Sequence, residues 1–450
     1  MSPRIRVSSL APLVACLVAG SFAPRALASG FQLREQSPSA QGNAFAGISA
    51  GGEDASGIFF NPASMTQFQG PQFALGASYV APVAEFGEGS ASRAPIYPTT
   101  SRPISGPGSH PNSANAVPLP NLGALWCLGE NLRLGFTINA PFGMGTDYRE
   151  DFIGRYHARK SDLKIIDVAP SVAYRVNEQW SLGMALVARK ASAEISNAVD
   201  FGAILASAGI PGGVPGGQDG FAVLKGDKWG YGYRLGLTYQ PTESLRLGLA
   251  HQAAVDITLD GTISYTGVPT ILASNFKDGG ASAEMNLPAT TSLGISYKVS
   301  ENLTLLGEVA RTGWSAFKEL RVKFKTGQAD SVTEENWKNT WFTSLGATWK
   351  WTEATKLRAG LAFDQGAATD ATRTPRIPDG DRTWISLGLG HAFSKSFNLD
   401  LGYTHIFVTS SPIGLASGTT AESPDFYRGN LSGRFQNHID ILAVQGVFRF

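Results

Sequence analysis

The sequence is short of three things. It has two cysteines in 450 residues, Cys16 and Cys127. It has no run approaching the roughly 18 uninterrupted apolar residues of a membrane-spanning helix. Only 16% of its residues are charged, and its six histidines (His110, His157, His251, His391, His405, His438) are scattered. Each shortage excludes something. No pair of histidines stands at metal-ligand spacing and Cys127 has no cysteine partner, so neither zinc nor any other cofactor is expected. No phosphate-binding fingerprint is present. Gly47-Ile48-Ser49-Ala50-Gly51 matches a nucleophile-elbow spacing, but Gln41-Gly42-Asn43-Ala44 before it is not the buried strand an elbow needs. No enzymatic activity is expected.

Residues 1–28 read as an export signal. Arg4 and Arg6 open it, Leu10 to Gly20 form a short apolar core, and Ala26-Leu27-Ala28 supplies a cleavage site before Ser29. Leu13-Val14-Ala15-Cys16 resembles a lipoprotein box, but the apolar run ahead of Cys16 is too short for one. Cleavage removes Arg4, Arg6 and Arg25 and no acid, so 37 basic against 36 acidic residues becomes 34 against 36, a net of −2. Neither nucleic acid nor acidic lipid is indicated as a partner. Cys127 alone remains, which rules out an intrachain disulfide.

What the chain has instead is alternation. Trp229, Tyr231, Tyr233, Leu235, Leu237 and Tyr239 alternate with Gly230, Gly232, Arg234, Gly236 and Thr238. Period two is a strand with one greasy face. Fourteen such stretches are predicted: 72–83, 119–128, 132–142, 162–176, 180–194, 229–239, 245–259, 285–299, 303–311, 337–351, 355–364, 382–392, 396–408 and 437–450. The gaps alternate between tight turns (Asn131, Asn177–Gln179, Pro241–Glu243, Glu301-Asn302, Thr352–Ala354, Phe393–Lys395) and longer loops rich in Gly, Pro and Ser. An even strand number with short turns at one end and long loops at the other is the mark of an antiparallel transmembrane β-barrel. Trp180, Trp229, Trp341, Trp349 and Trp351 lie near strand ends, where an interfacial girdle belongs. A secreted sandwich or solenoid explains neither feature. The barrel is predicted over 71–450.

Residues 29–70 do not alternate. Ser37-Pro38 and Asn61-Pro62 each offer an N-cap followed by proline at the first helical position. Two or three short helices joined by glycines are predicted, with too little apolar surface for a core of their own. A fourteen-strand lumen can receive such a segment, so a plug, or hatch, is expected rather than a disordered tail.

Five stretches carry a resemblance. Ser29-Gly30-Phe31-Gln32-Leu33, Asn61-Pro62-Ala63, Gly154-Arg155-Tyr156-His157-Ala158, Pro170-Ser171-Val172-Ala173-Tyr174 and Pro378-Asp379-Gly380-Asp381-Arg382, in this order, resemble the outer-membrane long-chain fatty acid transporters (FadL-type), a family that includes aromatic hydrocarbon channels. The resemblance implies a barrel plugged by an N-terminal hatch, with Asn61, Pro62 and Ala63 as the hatch motif. It also implies a lateral opening at a kinked third strand. Pro141, Gly143 and Gly145 fall where that strand should end, and Pro and Gly break a ladder.

Two outer loops carry amphipathic spacing. Phe201, Ile204, Leu205 and Ala208 in the third, and Val268, Ile271, Leu272 and Phe276 in the fourth, read as short helices. Facing each other they would form an apolar docking groove; the alternative is that they only cover one another. Alternation points Arg175, Arg189, Arg234, Arg246, Lys298 and Arg358 into the lumen, with Glu308 and Asp364 among them. Most should be paired with each other or with the plug. Arg189, near the top of the fifth strand, is the residue selected to meet a substrate headgroup.

The function expected is passive uptake of long-chain fatty acids or similar hydrophobic molecules, by a monomer whose partners are its substrate and outer-membrane lipid. Aromatic hydrocarbon uptake, a polar porin and an outer-membrane lipid hydrolase are the alternatives. The porin fits the apolar loops poorly, and no inward Ser/His pair supports the hydrolase.

Overall fold

The computed structural model describes residues 30–95 and 102–450; the export-signal reading lies outside them. Nineteen strand segments make fourteen crossings. Six are single strands at the start: β1 (Gln72–Ser92), β2 (Val117–Leu128), β3 (Leu132–Asp147), β4 (Lys160–Arg175), β5 (Trp180–Asp200) and β6 (Asp219–Tyr239). The next four are each split in two: β7 (Leu245–Gln252) with β8 (Val255–Thr266), β9 (Gly279–Leu287) with β10 (Thr290–Lys298), β11 (Leu303–Thr312) with β12 (Glu319–Phe324), and β13 (Ser331–Glu334) with β14 (Thr340–Lys350). Then come β15 (Thr355–Asp364), β16 (Arg382–Ala392), β17 (Phe397–Val408) with β18 (Ser411–Leu415), and β19 (Asn430–Arg449). β19 pairs β1 from Gln72–Arg449 to Ser92–Asn430, which closes the sheet into a fourteen-strand antiparallel barrel with no edge.

The barrel is inverted relative to a soluble protein, as the alternation predicts. Leu75, Tyr79, Leu182, Leu186, Tyr231, Leu361, Leu387 and Leu442 point outward and are exposed, as are all five girdle tryptophans. All six predicted turns are observed. The strands run further outward than predicted: β6 begins at 219, not 229, and β19 at 430, not 437. These extensions carry cross-strand ion pairs on their outer face, such as Lys228–Asp260 and Lys323–Glu284, each 2.6 Å. Charge replaces grease there and the alternation fades. The stretch 337–351 is shorter than predicted, because Trp337 is buried in an aromatic cluster rather than ranged on a strand.

The N-terminal segment fills the lumen. It forms a helix at Pro38–Gln41 and three 3-10 turns, Ile48–Ala50, Ala55–Phe59 and Pro62–Gln67. Ser37 and Asn61 cap two of them as expected, accepting from Ala40 N–H at 3.3 Å and Ala63 N–H at 2.9 Å. The wall makes room by omitting side chains. A Cβ on Gly183, Gly236 or Gly248 would overlap Ala63, Asn61 or Ser49 of the hatch. Lumenal cations then tie it down. Arg358 holds Glu53 through two 3.0 Å hydrogen bonds, Arg133 donates to the Phe68 carbonyl at 3.1 Å, and Arg175 and Arg246 bond Thr66 and Gln67. Lys298 does not belong with them: it is exposed at the end of β10 and pairs Glu301 at 2.9 Å.

Candidate substrate cavity and gate

The first described residues are held at the top of the hatch. Asp379 accepts from Gly30 N–H at 3.2 Å and from Ala367 N–H at 2.8 Å, while Arg382 donates to the Gly30 carbonyl at 3.0 Å. This gives the Pro378–Arg382 stretch a physical role: it grips the start of the plug. Phe31 follows, packed against Phe142, Trp314, Phe317 and Trp337 with ring centroids 4.7–6.0 Å apart.

Residues 31–36 then run along the kinked third strand. The β3–β4 register slips between Asn139 and Phe142, so Ala140 and Pro141 bulge out of the ladder. On its other edge β3 pairs β2 only as far as Ile138. The N-terminal segment occupies the vacated edge. Leu33 N–H donates to the Pro141 carbonyl (2.8 Å), Gly143 N–H to the Phe31 carbonyl (3.1 Å), and the Gln36 side chain bonds both backbone groups of Ala140 (2.7 and 3.0 Å). The strand does not end at this point, as expected from sequence, but continues to Asp147. Pro141 marks the bulge. Gly143 is where a Cβ would stand 3.0 Å from Leu33, and Gly145 where one would stand 3.2 Å from Asn115.

Beside Phe31 lies a narrow apolar cavity. Met144, Leu163, Leu259, Met285 and Phe317 line it, together with the charged residues Lys225, Glu284, Glu335 and Arg376. Arg376 is buried at 7% exposure. All its hydrogen-bond partners are neutral: the Lys160 and Ser196 carbonyls, Ser161 Oγ and Asn197 Oδ1, at 3.2–3.4 Å. Among the described residues no carboxylate lies within ion-pair reach of it. Burial lowers its pKa to about 10, with Glu335 opposing, so it stays cationic at neutral pH. Burial raises the Glu335 carboxyl to about 8 against the bond from Trp337 Nε1 (2.8 Å), so that group is mostly protonated and leaves the cation uncompensated.

Arg189 lies elsewhere. It forms a bidentate pair with Asp167 at 2.7 and 2.8 Å, shares that carboxylate with Arg234, and is fully buried in the wall. Asp167 already holds it, although that one carboxylate serves two cations. Alternation places a side chain on a face but does not reveal the carboxylate on the neighbouring strand. Arg376 was missed because it sits in a loop, where periodicity gives no direction; its nearness to the Pro378–Arg382 stretch was the available signal.

Asn61 is fully buried and ties three parts together. Besides capping Ala63, it donates to the Ser49 carbonyl in the hatch (2.6 Å) and the Leu237 carbonyl in β6 (3.2 Å). Pro62 starts the 3-10 turn, and Ala63 packs against Gly183. Ser49, at the centre of the elbow-like spacing, sits on a 3-10 turn and bonds Glu308 and Ser292.

The two outer loops do not leave an open groove between them. Phe201–Ser207 is a helix and Thr270–Leu272 a single 3-10 turn. Phe201, Leu205 and Leu272 are buried in one cluster, with Ile204, Val268 and Phe276 half-buried around it, and Phe201 meets Phe276 edge-on at 5.0 Å. The loops cover each other. Ile271, 60% exposed, is the member left facing outward.

Known proteins share this architecture. An outer membrane protein of Neisseria meningitidis serogroup B is 31% identical over 453 residues, covering 94% of this chain and 95% of that one. The long-chain fatty acid transport protein of Escherichia coli O6:H1 is 29% identical over 406 residues, covering 85% and 87%. A solved FadL homologue of Pseudomonas aeruginosa superposes with a TM-score of 0.83 at 24% identity, covering 94% of this chain and all of that one. The family model described as outer membrane protein transport protein (OMPP1/FadL/TodX) matches residues 19–450, and the chain belongs to that family.

Proposed function

We propose that this barrel takes up long-chain fatty acids, with the alkyl chain in the cavity beside Phe31 and the carboxylate on Arg376. The observation that carries this reading is a buried guanidinium that lines an apolar cavity, bonded to neutral groups alone. An aromatic hydrocarbon would have no use for that charge. Each buried CH₂ contributes about 0.8 kcal/mol, so the chain supplies affinity and the headgroup supplies orientation. Onward movement needs no energy source, since partition into lipid is favourable. One exit is the β3 bulge, vacated when residues 31–36 withdraw. Asn61, Pro62 and Ala63 hold the hatch body in place while that segment moves. Ile271 and its neighbours in the outer loops are the first surface an acyl chain meets.

The test is binding to the purified barrel. Arg376→Ala should weaken oleate binding at least tenfold and leave toluene binding unchanged, with Arg376→Lys intermediate. Equal oleate affinity in all three proteins removes the headgroup assignment. Toluene bound more tightly than oleate by the unaltered protein favours the hydrocarbon reading.

A further inference from the structure

The wall has a second interruption, on β6. Against β5, β6 pairs without a break from Trp180–Tyr239 to Asp200–Asp219. Its other edge differs. The register against β7 ends at Arg234–Gln252, and the register against β8 begins only at Asp227–Asp260. Between them the Tyr233 carbonyl still accepts from Ala253 N–H (3.0 Å) and Lys228 pairs with Asp260, which leaves residues 229–232 without a partner strand. The next crossing breaks at the same height: residues 253–254 separate β7 from β8, residues 288–289 separate β9 from β10, and the two breaks face each other between Gln252–Thr290 and Val255–Leu287. One of these residues is Pro288, which has no N–H to give a ladder.

Side chains fill the opening. A Cβ on Gly230 would stand 2.7 Å from Ile257, and one on Gly232 would stand 2.7 Å from Val255. The two glycines leave room for those side chains to lie across the gap. Val255 and Ile257 are buried and belong to the same apolar cluster as Phe31, Met285 and Trp314. Phe31 and Met285 line the substrate cavity, as does Leu259, two residues further along β8. On the outside, Trp229, Tyr231 and Tyr233 are exposed at the level of the lipid, Tyr231 by 75%. Backbone released from a ladder at membrane depth persists only where protein covers it or it lines a cavity. Here both hold.

We propose a second lateral portal between β6 and β8, gated by Val255 and Ile257, through which the alkyl chain of a substrate passes between the lumenal cavity and the outer leaflet. The proposal rests on the uptake reading. The two interruptions are closed by different means. Four hydrogen bonds from residues 31–36 close the one at β3. At β6, between the Ala253–Tyr233 hydrogen bond and the Lys228–Asp260 ion pair, two hydrocarbon side chains fill the opening. Rotation about their side-chain bonds opens it while the N-terminal segment stays docked, so the β6 portal carries most of the flux.

The closeness of Gly232 to Val255 suits a disulfide staple. In a Cys127→Ser background, Gly232→Cys with Val255→Cys locks the β6 portal, and Gln32→Cys with Phe142→Cys, which stand directly opposite each other, locks the β3 interruption. Uptake of radiolabelled oleate by cells is compared in oxidised and reduced forms. Oxidation of the β6 pair should lower uptake at least threefold, reductant should restore it, and oleate binding to the purified barrel should not change. Unchanged uptake with the β6 cross-link formed overturns the portal and leaves the uptake reading intact. An unstapled barrel that takes up no oleate overturns both. Val255→Ala with Ile257→Ala provides a check free of cross-linking: release of a bound fluorescent fatty acid should be several-fold faster, and an unchanged rate counts against the portal.

Discussion

At the scale of single residues, Arg376 and Glu335 set a pH dependence with a definite sign. Glu335 titrates near 8 in the folded protein, against an ordinary value of about 4.5, because burial disfavours its anion. Below that value it is neutral and Arg376 is free for a substrate carboxylate. As pH rises through 8 it ionises beside Arg376, whose own pKa near 10 keeps it charged, and competes for the cation. Oleate is ionised throughout this range. Its affinity should therefore fall several-fold between pH 7 and 9, and Glu335→Gln should flatten the profile; a flat profile in the unaltered protein would show that Glu335 does not compete. The same shift bears on stability. Folded Glu335 holds its proton where the unfolded chain has lost it, so the penalty grows as pH rises from about 4.5 to 8 and then levels off. Asn61 is the other decisive residue. Its replacement by Ala removes a cap and two buried bonds, at a cost of about 1–2 kcal/mol to the hatch. The barrel's own ladder is untouched. Asn61→Ala should assemble normally, shown by retained heat-modifiable migration, yet leak ions in planar bilayers. A conductance equal to that of the unaltered protein would detach the residue from plug integrity.

At the scale of elements, the N-terminal segment acts as a removable strand. It pairs with β3 where β2 does not, so the gap in the ladder is closed by a piece of the plug. Gln36 makes two of those bonds, and Gln36→Ala should raise amide exchange at Leu33 and Gly143 while leaving β4 and β5 protected. Equal protection in both proteins would mean that the segment is held by Phe31 alone. Much at this scale could be read from sequence, and the failures have physical causes. Turns such as Asn177–Gln179 and caps such as Ser37 and Asn61 are local, and local chemistry fixes them. The bulge at Ala140-Pro141 and the breaks at 253–254 and 288–289 are set by what packs behind the strand. Within 245–259 and 285–299 the alternation continues across the break, so period two alone draws one strand. The outer-loop spacing of Phe201, Ile204 and Leu205 correctly marked a helix with one apolar face. That Leu272 and Phe276 would cover it is a matter of loop geometry that no periodicity encodes.

At the scale of the whole molecule, inversion of the apolar face was the most legible feature. Tyr231, Leu235 and Leu361 have no core to enter, and a bilayer is the solvent that suits them. The lumen was harder to read. Its polar residues are mostly spent on one another and on the hatch, as Arg189, Arg234 and Arg358 show. Arg376, bonded to neutral groups alone, lies on a loop, where periodicity says nothing of direction. A closed wall, a tied plug and an apolar cavity beside Phe31 together suit a route for hydrophobic molecules rather than for ions. The most direct test is uptake of radiolabelled oleate by cells lacking their own fatty acid transporter, with and without this protein, at equal outer-membrane expression. Uptake several-fold above the control, reduced by Arg376→Ala, is the predicted result. Equal uptake with and without the protein would contradict it.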